Sequence, residues 1–170
     1  MISLELQKTV SYDELMSLGS DARVEVFNGE IREMLPVGGT HAYGSASFVE
    51  NVAPFVRSQR LGLVYGDGLT FLMLKPGETP HGLRDSYVPD AAFICASSIP
   101  RDWDRAKPFP YSPTLAVEIM SPDDKGEDID LKVQRYLELV PSQYSFDGYN
   151  LYNSRLKREF VSIISTLTGY

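Results

Sequence analysis

Thr114-Leu-Ala-Val-Glu-Ile-Met-Ser-Pro122 is a nearly continuous apolar run with one carboxylate, Glu118, in its interior. The run is short, aliphatic and closed by Ser121-Pro122, so it reads as a buried strand ending in a turn or a helix start. An ionised group there is expensive. Unpaired burial costs enough that a carboxylate shifts its pKa instead, and Glu118 therefore implies a nearby cation, metal or donor set. Strand alternation places Ala116, Glu118 and Met120 on one face and Leu115, Val117 and Ile119 on the other.

A second strand-like run, Tyr87 to Cys95, also carries a carboxylate among apolar residues. Its period of two puts Val88, Asp90, Ala92 and Ile94 on one face and Ala91, Phe93 and Cys95 on the other. Pro89 cannot donate to a ladder and belongs at the strand's start or at a bulge, places that often adjoin active sites. Asp90 and Glu118 each have an alanine two residues away on their own face. Small neighbours leave room for a metal, water and substrate.

Beyond Pro122 the chain is acidic, and helical spacing runs from about Asp128 to Leu139, with Ile129, Val133, Tyr136, Leu137 and Val140 as the buried stripe. Lys132 lies at the edge of that stripe. Its stem can follow the sheet and deliver an ammonium toward Glu118, while an ordinary lysine lying along an apolar surface is the plainer alternative. Arg135 is expected to point further out.

Upstream, Ser11 begins a capping-box pattern with Glu14, which predicts a short helix ended by Gly19. Arg23 to Phe27 and Ile31 to Leu35 read as strands joined by Asn28-Gly29, a strong signal for a tight hairpin. Val24 and Val26 share one face there, and Arg23, Glu25 and Phe27 the other; Glu25 is a candidate ligand or a salt-bridged hairpin residue. A helix is expected from His41 to about Arg60, kinked or broken by Pro54, with Phe48, Val49, Val52, Phe55 and Val56 toward the sheet. His41, in its first turn, suits a neutral imidazole or a bound anion, or simply a structural hydrogen bond. Leu63–Tyr65 and Leu69–Leu74 read as a strand pair around Gly66-Asp67-Gly68. A loop follows from Lys75 to Ser86. Ser97 to Ser112 reads as a polar, proline-rich connection in which Trp103 either anchors the loop or offers a stacking surface for a base. Gln143 to Tyr152 has Asp147-Gly148 as a turn signal, and Arg155 to Ile164 fits either a strand or a helix.

Length and composition narrow the functional classes. The 170 residues suit one domain, and no apolar run approaches a membrane span or a signal-peptide h-region, so a cytoplasmic protein is expected. A single cysteine excludes an internal disulfide and a Cys-rich zinc site. With only His41 and His81 as imidazoles, carboxylates are the main possible ligands, which favours hard cations such as Mg2+ or Mn2+. The net charge of -7 argues against non-specific coating of nucleic acid but is compatible with a nuclease, whose active site itself gathers acidic groups. Two carboxylates and a lysine form a minimal kit for phosphodiester hydrolysis.

The motifs have a family likeness. Val88-Pro89-Asp90, then Ala116-Val117-Glu118-Ile119-Met120-Ser121-Pro122, then Lys132 and Tyr136 resemble the Uma-two family, a bacterial branch of the PD-(D/E)XK restriction-endonuclease-like superfamily. The Arg23–Ile31 hairpin and Gly39-Thr40-His41 are also similar to that family's opening, and the resemblance covers about Ser11 to Leu139. It implies a mixed α/β (α+β) fold: a restriction-endonuclease-like core with a central mixed β-sheet flanked by helices and an N-terminal β-hairpin. It further implies a metal-dependent endonuclease acting on DNA, with Asp90 and Glu118 as Mg2+ ligands and Glu25 and His41 as accessory residues. In the wider superfamily a lysine stands two residues after the glutamate; here that residue is Met120, and the branch supplies Lys132 from the next helix. Val140 to Tyr170 departs from the family pattern. A homodimer is the expected assembly, since two strands must be cut. A catalytically silent module that binds nucleic acid or a protein is the alternative, and a purely structural carboxylate pair is a third reading.

Overall fold

The structure, a computed structural model, describes residues 8–19, 21–119, 126–139, 143–146 and 149–152. Its first helix, α1 (Tyr12–Ser17), begins where the sequence places a cap: the Ser11 side chain accepts from the Glu14 N–H at 3.1 Å. Strands β1 (Val24–Phe27) and β2 (Glu30–Glu33) form the expected antiparallel hairpin. Asn28 and Gly29 both have positive φ, 49° and 76°, the primed-turn geometry that matches the twist of the strands. A Cβ at Gly29 would collide with the Lys8 carbonyl, so this turn needs glycine for space as well as for φ. The second strand ends earlier than its apolar residues suggest, and Leu35 is 82% exposed.

The next helix, α2 (Gly39–Ser58), runs through Pro54 without breaking. Proline removes one N–H from the ladder, but the position lies about one turn from the helix end, where little helix remains to be lost. The stripe toward the sheet is narrower than the apolar residues imply: Val56 is buried and Val52 packs beside it, whereas Phe55 is 62% exposed.

Strands β3 (Gly62–Gly66) and β4 (Phe71–Leu74) do not pair with each other, contrary to the expected hairpin. Strand β3 instead joins β5 (Ala91–Cys95) and β7 (Leu115–Val117) in an antiparallel sheet ordered β3-β5-β7. Strand β4 pairs in parallel with β6 (Phe109–Tyr111), a strand inside the segment read as a plain connection. Burial explains the divergence, because all four residues of β4 are buried and Phe71 packs edge-on against Phe109 at 5.6 Å. Two apolar faces outweigh the local turn signal. The bridges Val10↔Leu83, Val26↔Ser86 and Phe71↔Tyr87 then stitch the hairpin, β4 and the approach to β5 together.

β5 is the central strand, and its alternation divides the core as the sequence implies. Ala92 and Ile94 face a cluster with Phe27, Phe71, Tyr87, Phe109 and Tyr136, while Phe93 and Cys95 face Val56 under α2. Fully burying a side chain of this size stabilises by about 1.5–3 kcal/mol, so these two layers hold the sheet. Trp103 is an anchor in the first layer: it packs edge-on to Phe109 at 4.9 Å and its Nε1–H donates to the Pro108 carbonyl. That geometry favours the anchoring role over base stacking.

The last described helix, α3 (Gly126–Leu139), spans the expected segment, but of the expected stripe only Tyr136 is buried; Ile129, Val133 and Leu137 are half-buried, and Leu139, outside that stripe, is buried. Beyond it, β8 (Gln143–Phe146) and β9 (Tyr149–Tyr152) form an antiparallel hairpin around the expected turn position. Met120, Ser121-Pro122, Val140 and Arg155–Ile164 lie outside the described residues. No helix among the described residues is long and apolar enough to cross a membrane.

Candidate active site

Asp90 precedes β5 and Glu118 follows β7, and the two strands pair with Ala91 opposite Val117. That register brings the two carboxyls to one end of the sheet. Asp90 is 7% exposed and held from three directions. Its Oδ2 accepts the Ile119 N–H at 2.5 Å and lies 3.1 Å from His41 Nε2, and its backbone carbonyl accepts the Ser45 hydroxyl at 2.5 Å. His41 and Ser45 stand one turn apart on α2 and so meet Asp90 from the same helix face. Ser45 was missed by the sequence reading; its spacing from His41 was the available signal. No described hydrogen bond reaches Asp90 Oδ1.

Glu25 projects from β1 on the face opposite Val26, as the alternation requires, and is 8% exposed. Its Oε1 accepts the Val88 N–H at 2.9 Å and pairs with Lys132 Nζ at 2.8 Å. Lys132 also reaches Glu118, but at 3.6 Å to Oε2, so its closer partner is the hairpin carboxylate. The other oxygen of Glu118 accepts the Tyr136 hydroxyl at 2.9 Å. The five sequence candidates fall into two adjoining polar groups, Glu25, Lys132 and Glu118 with Tyr136, and Asp90 and His41 with Ser45, which meet where the Ile119 N–H, next in the chain to Glu118, donates to Asp90.

Arg135 departs from expectation. It turns inward, with its side chain 21% exposed and Nε 2.9 Å from Asp85 Oδ2. Asp85 is 4% exposed and received no sequence signal beyond its charge. Its Oδ1 accepts the Tyr87 hydroxyl and the Asn28 N–H, at 3.0 and 3.1 Å.

The electrostatics follow from burial and crowding. Burial pushes the Glu118 carboxyl up to about 7; Lys132 pulls it down, while the charges of Asp90 and Glu25 push it further up. Burial likewise raises Asp90, against the opposing pull of the Ile119 N–H, His41 and Lys132. For Lys132, burial disfavours the ammonium, yet Glu118 and Glu25 together outweigh it and hold its pKa above the usual lysine range. Lys132 is therefore a fixed positive charge near neutral pH, unsuited to act as a base. Three carboxylates face one ammonium, an excess of negative charge that a further cation would relieve. Among the described residues, no group of three or more His, Cys, Asp or Glu side chains is arranged to hold a metal ion by itself.

Residues 10–146 match a family model, Uma2, described as "Putative restriction endonuclease". The chain belongs to the Uma2 family. The match extends past Leu139 to the end of β8, so part of the segment that looked divergent lies within the family's span. Among solved structures, this Uma2 chain is similar to a "putative nuclease belonging to DUF820" from Anabaena variabilis. The TM-score is 0.61 at 22% identity, over 79% of this chain and 71% of that one. The likeness shows a shared fold, the mixed α/β nuclease-like architecture. No curated protein matches the sequence.

Proposed function

We propose that this protein is a metal-dependent endonuclease that hydrolyses phosphodiester bonds of DNA at the Asp90–Glu118 site. The observation that carries the reading is a buried and a half-buried carboxyl, Asp90 and Glu118, brought to one end of the sheet beside a positively charged lysine, in a chain of the Uma2 family. The donor set fits Mg2+ or Mn2+. Magnesium is commonly bound through one or two carboxylates and keeps several waters, so Asp90 and Glu118 would suffice as protein ligands. When bound, the ion polarises the phosphate and acidifies a water.

The chain's own residues have separable tasks. His41 and the Ile119 N–H fix Asp90 through Oδ2, and no hydrogen bond among the described residues takes up Oδ1. Lys132, held by Glu25, supplies positive charge where negative charge grows on the scissile phosphate. Glu25 acts on Lys132, whose ammonium it holds at 2.8 Å through Oε1, the same oxygen that accepts the Val88 N–H. Cutting both strands of a duplex with one such site per chain calls for a homodimer, which belongs to the proposal, as does a cytoplasmic setting.

Plasmid cleavage tests this directly. Wild type should nick and linearise DNA with Mg2+ or Mn2+ and not with chelator, and Asp90→Ala and Glu118→Ala should each lower the rate about 100-fold or more. Equal cleavage by wild type and both variants would place the chemistry elsewhere. A wild type that binds Mn2+ in calorimetry but never cuts would be a silent nuclease-like module.

A further inference from the structure

We infer that Tyr136 is a positioning residue that determines which oxygen of Glu118 is free to meet a cation. The inference rests on the metal-site reading above and goes beyond it, because neither the spacing of the sequence nor the family description assigns this side chain a task. From periodicity Tyr136 is simply part of the buried stripe of α3. In the structure its hydroxyl donates to Glu118 Oε1 at 2.9 Å, which leaves Oε2, on the Lys132 side at 3.6 Å, as the oxygen with no hydrogen bond among the described residues.

The donor is itself held rigidly. Tyr136 is 7% exposed and packs edge-on against Tyr87 at 5.5 Å. The Tyr87 hydroxyl is in turn fixed by Asp85 at 3.0 Å, and Asp85 lies beside Arg135, the residue preceding Tyr136 on α3. Helix α3 thus reaches the core through three consecutive polar contacts: Lys132 to Glu25, Arg135 to Asp85 and Tyr136 to Glu118. A carboxylate at the end of a short strand can rotate about its last torsion. A buried hydroxyl on one oxygen removes that freedom and leaves the other oxygen on the Lys132 side. The same division of labour appears at Asp90, where His41 and the Ile119 N–H both occupy Oδ2. Among the described residues each candidate ligand therefore has one oxygen hydrogen-bonded by the protein and one not, as expected when outer hydrogen bonds orient metal ligands.

Tyr136→Phe keeps the ring and its contact with Tyr87 while removing the donor. Calorimetric titration with Mn2+ should show affinity falling by about 10- to 100-fold, the usual effect of removing a residue that orients a ligand. The Mn2+ concentration for half-maximal plasmid cleavage should rise by the same factor, with the rate at saturating Mn2+ returning toward wild type. Leu139→Ala, which loosens the same helix face without touching Glu118, is the control: it should lower the urea midpoint and leave Mn2+ affinity unchanged. If Y136F loses stability as L139A does but binds Mn2+ like wild type, Tyr136 is only a packing residue and the inference is overturned. If wild type itself binds no Mn2+, the metal-site reading fails first and takes this inference with it.

Discussion

Glu118 bears the largest electrostatic cost in the site, and that cost is measurable without knowing the substrate. Its folded-state pKa of about 7 lies above the ordinary 4.5, so folding favours the protonated form. The favourable contribution is complete below pH 4.5 and drains away as pH rises toward 7. Glu118→Gln abolishes this titration. In chelator, wild type should therefore lose roughly 3 kcal/mol relative to E118Q between pH 4.5 and pH 8, at about 1.4 kcal/mol per pKa unit, as read from urea unfolding. A stability difference independent of pH would show that Glu118 ionises freely. Lys132 has the opposite role. Lys132→Met leaves Glu25 and Glu118 buried without their cation and should destabilise the metal-free protein by about 3–5 kcal/mol at pH 8, less in acid as the carboxyls protonate. The same variant should bind Mn2+ more tightly, since the ammonium no longer competes for the carboxylates, yet cleave more slowly. Weaker Mn2+ binding by K132M would contradict this placement of the charge.

Helix α3 delivers both Lys132 and Tyr136, so the way it docks matters as much as the residues it carries. Among the described residues its amphipathic face supplies Tyr136 and Leu139 as buried contacts. Polar contacts add to its attachment, and the Arg135–Asp85 pair holds the most buried acid among them. Asp85 Oδ2 and Arg135 Nε are 2.9 Å apart but are not aligned as a hydrogen bond, so the pair is held by charge, with Arg84 3.6 Å away on the other side. Asp85→Ala removes the acceptor for Asn28 and Tyr87 and takes away the buried acid beside Arg135 Nε, leaving that arginine only the exposed Glu138. The expected cost is about 3–5 kcal/mol. Hydrogen exchange should locate it: amides of α3 and of the Asn28-Gly29 turn should lose more protection than those of α2, which packs on the opposite side of the sheet. Uniform loss across the chain would mean that Asp85 contributes to the whole core rather than to the docking of α3.

For the whole molecule, a net charge of -7 and three acids gathered near one ammonium, Glu25 and Asp90 buried and Glu118 half-buried, point to a fold that is incompletely compensated without a cation. Any ion that binds only the folded state adds stability by mass action, about 2.7 kcal/mol at a hundred times its dissociation constant. Mg2+ or Mn2+ should raise the urea midpoint of wild type at pH 8, and Asp90→Ala should abolish the increase. An equal increase in both proteins would indicate binding elsewhere on the acidic surface.

The chain specified by itself whatever depends on neighbours within a few residues. The Ser11 cap, the Asn28-Gly29 turn, the two faces of β5 and the register of α3 all follow from periods of 2 or 3.6 and from local backbone preference. So did the choice of Asp90, Glu118 and Lys132, because a charge inside an apolar period is conspicuous wherever it occurs. Strand partners were not legible in this way. The turn signal at Gly66-Asp67-Gly68 suggested a hairpin, but β4 gained more by burying Phe71 against Phe109, a contact across a long separation that no local pattern encodes. The same holds for the partners of the charges. Lys132 lies 107 positions from Glu25, and which of two carboxylates its ammonium approaches depends on how α3 crosses the hairpin. Arg135 turned inward because Asp85 was there to receive it, and the hydroxyl of Tyr136 acquired a task only when packing carried it to Glu118. Local periodicity thus marks which residues are out of place in an apolar run; only tertiary packing decides which partner makes each of them tolerable, because burial and charge are satisfied in space rather than along the chain.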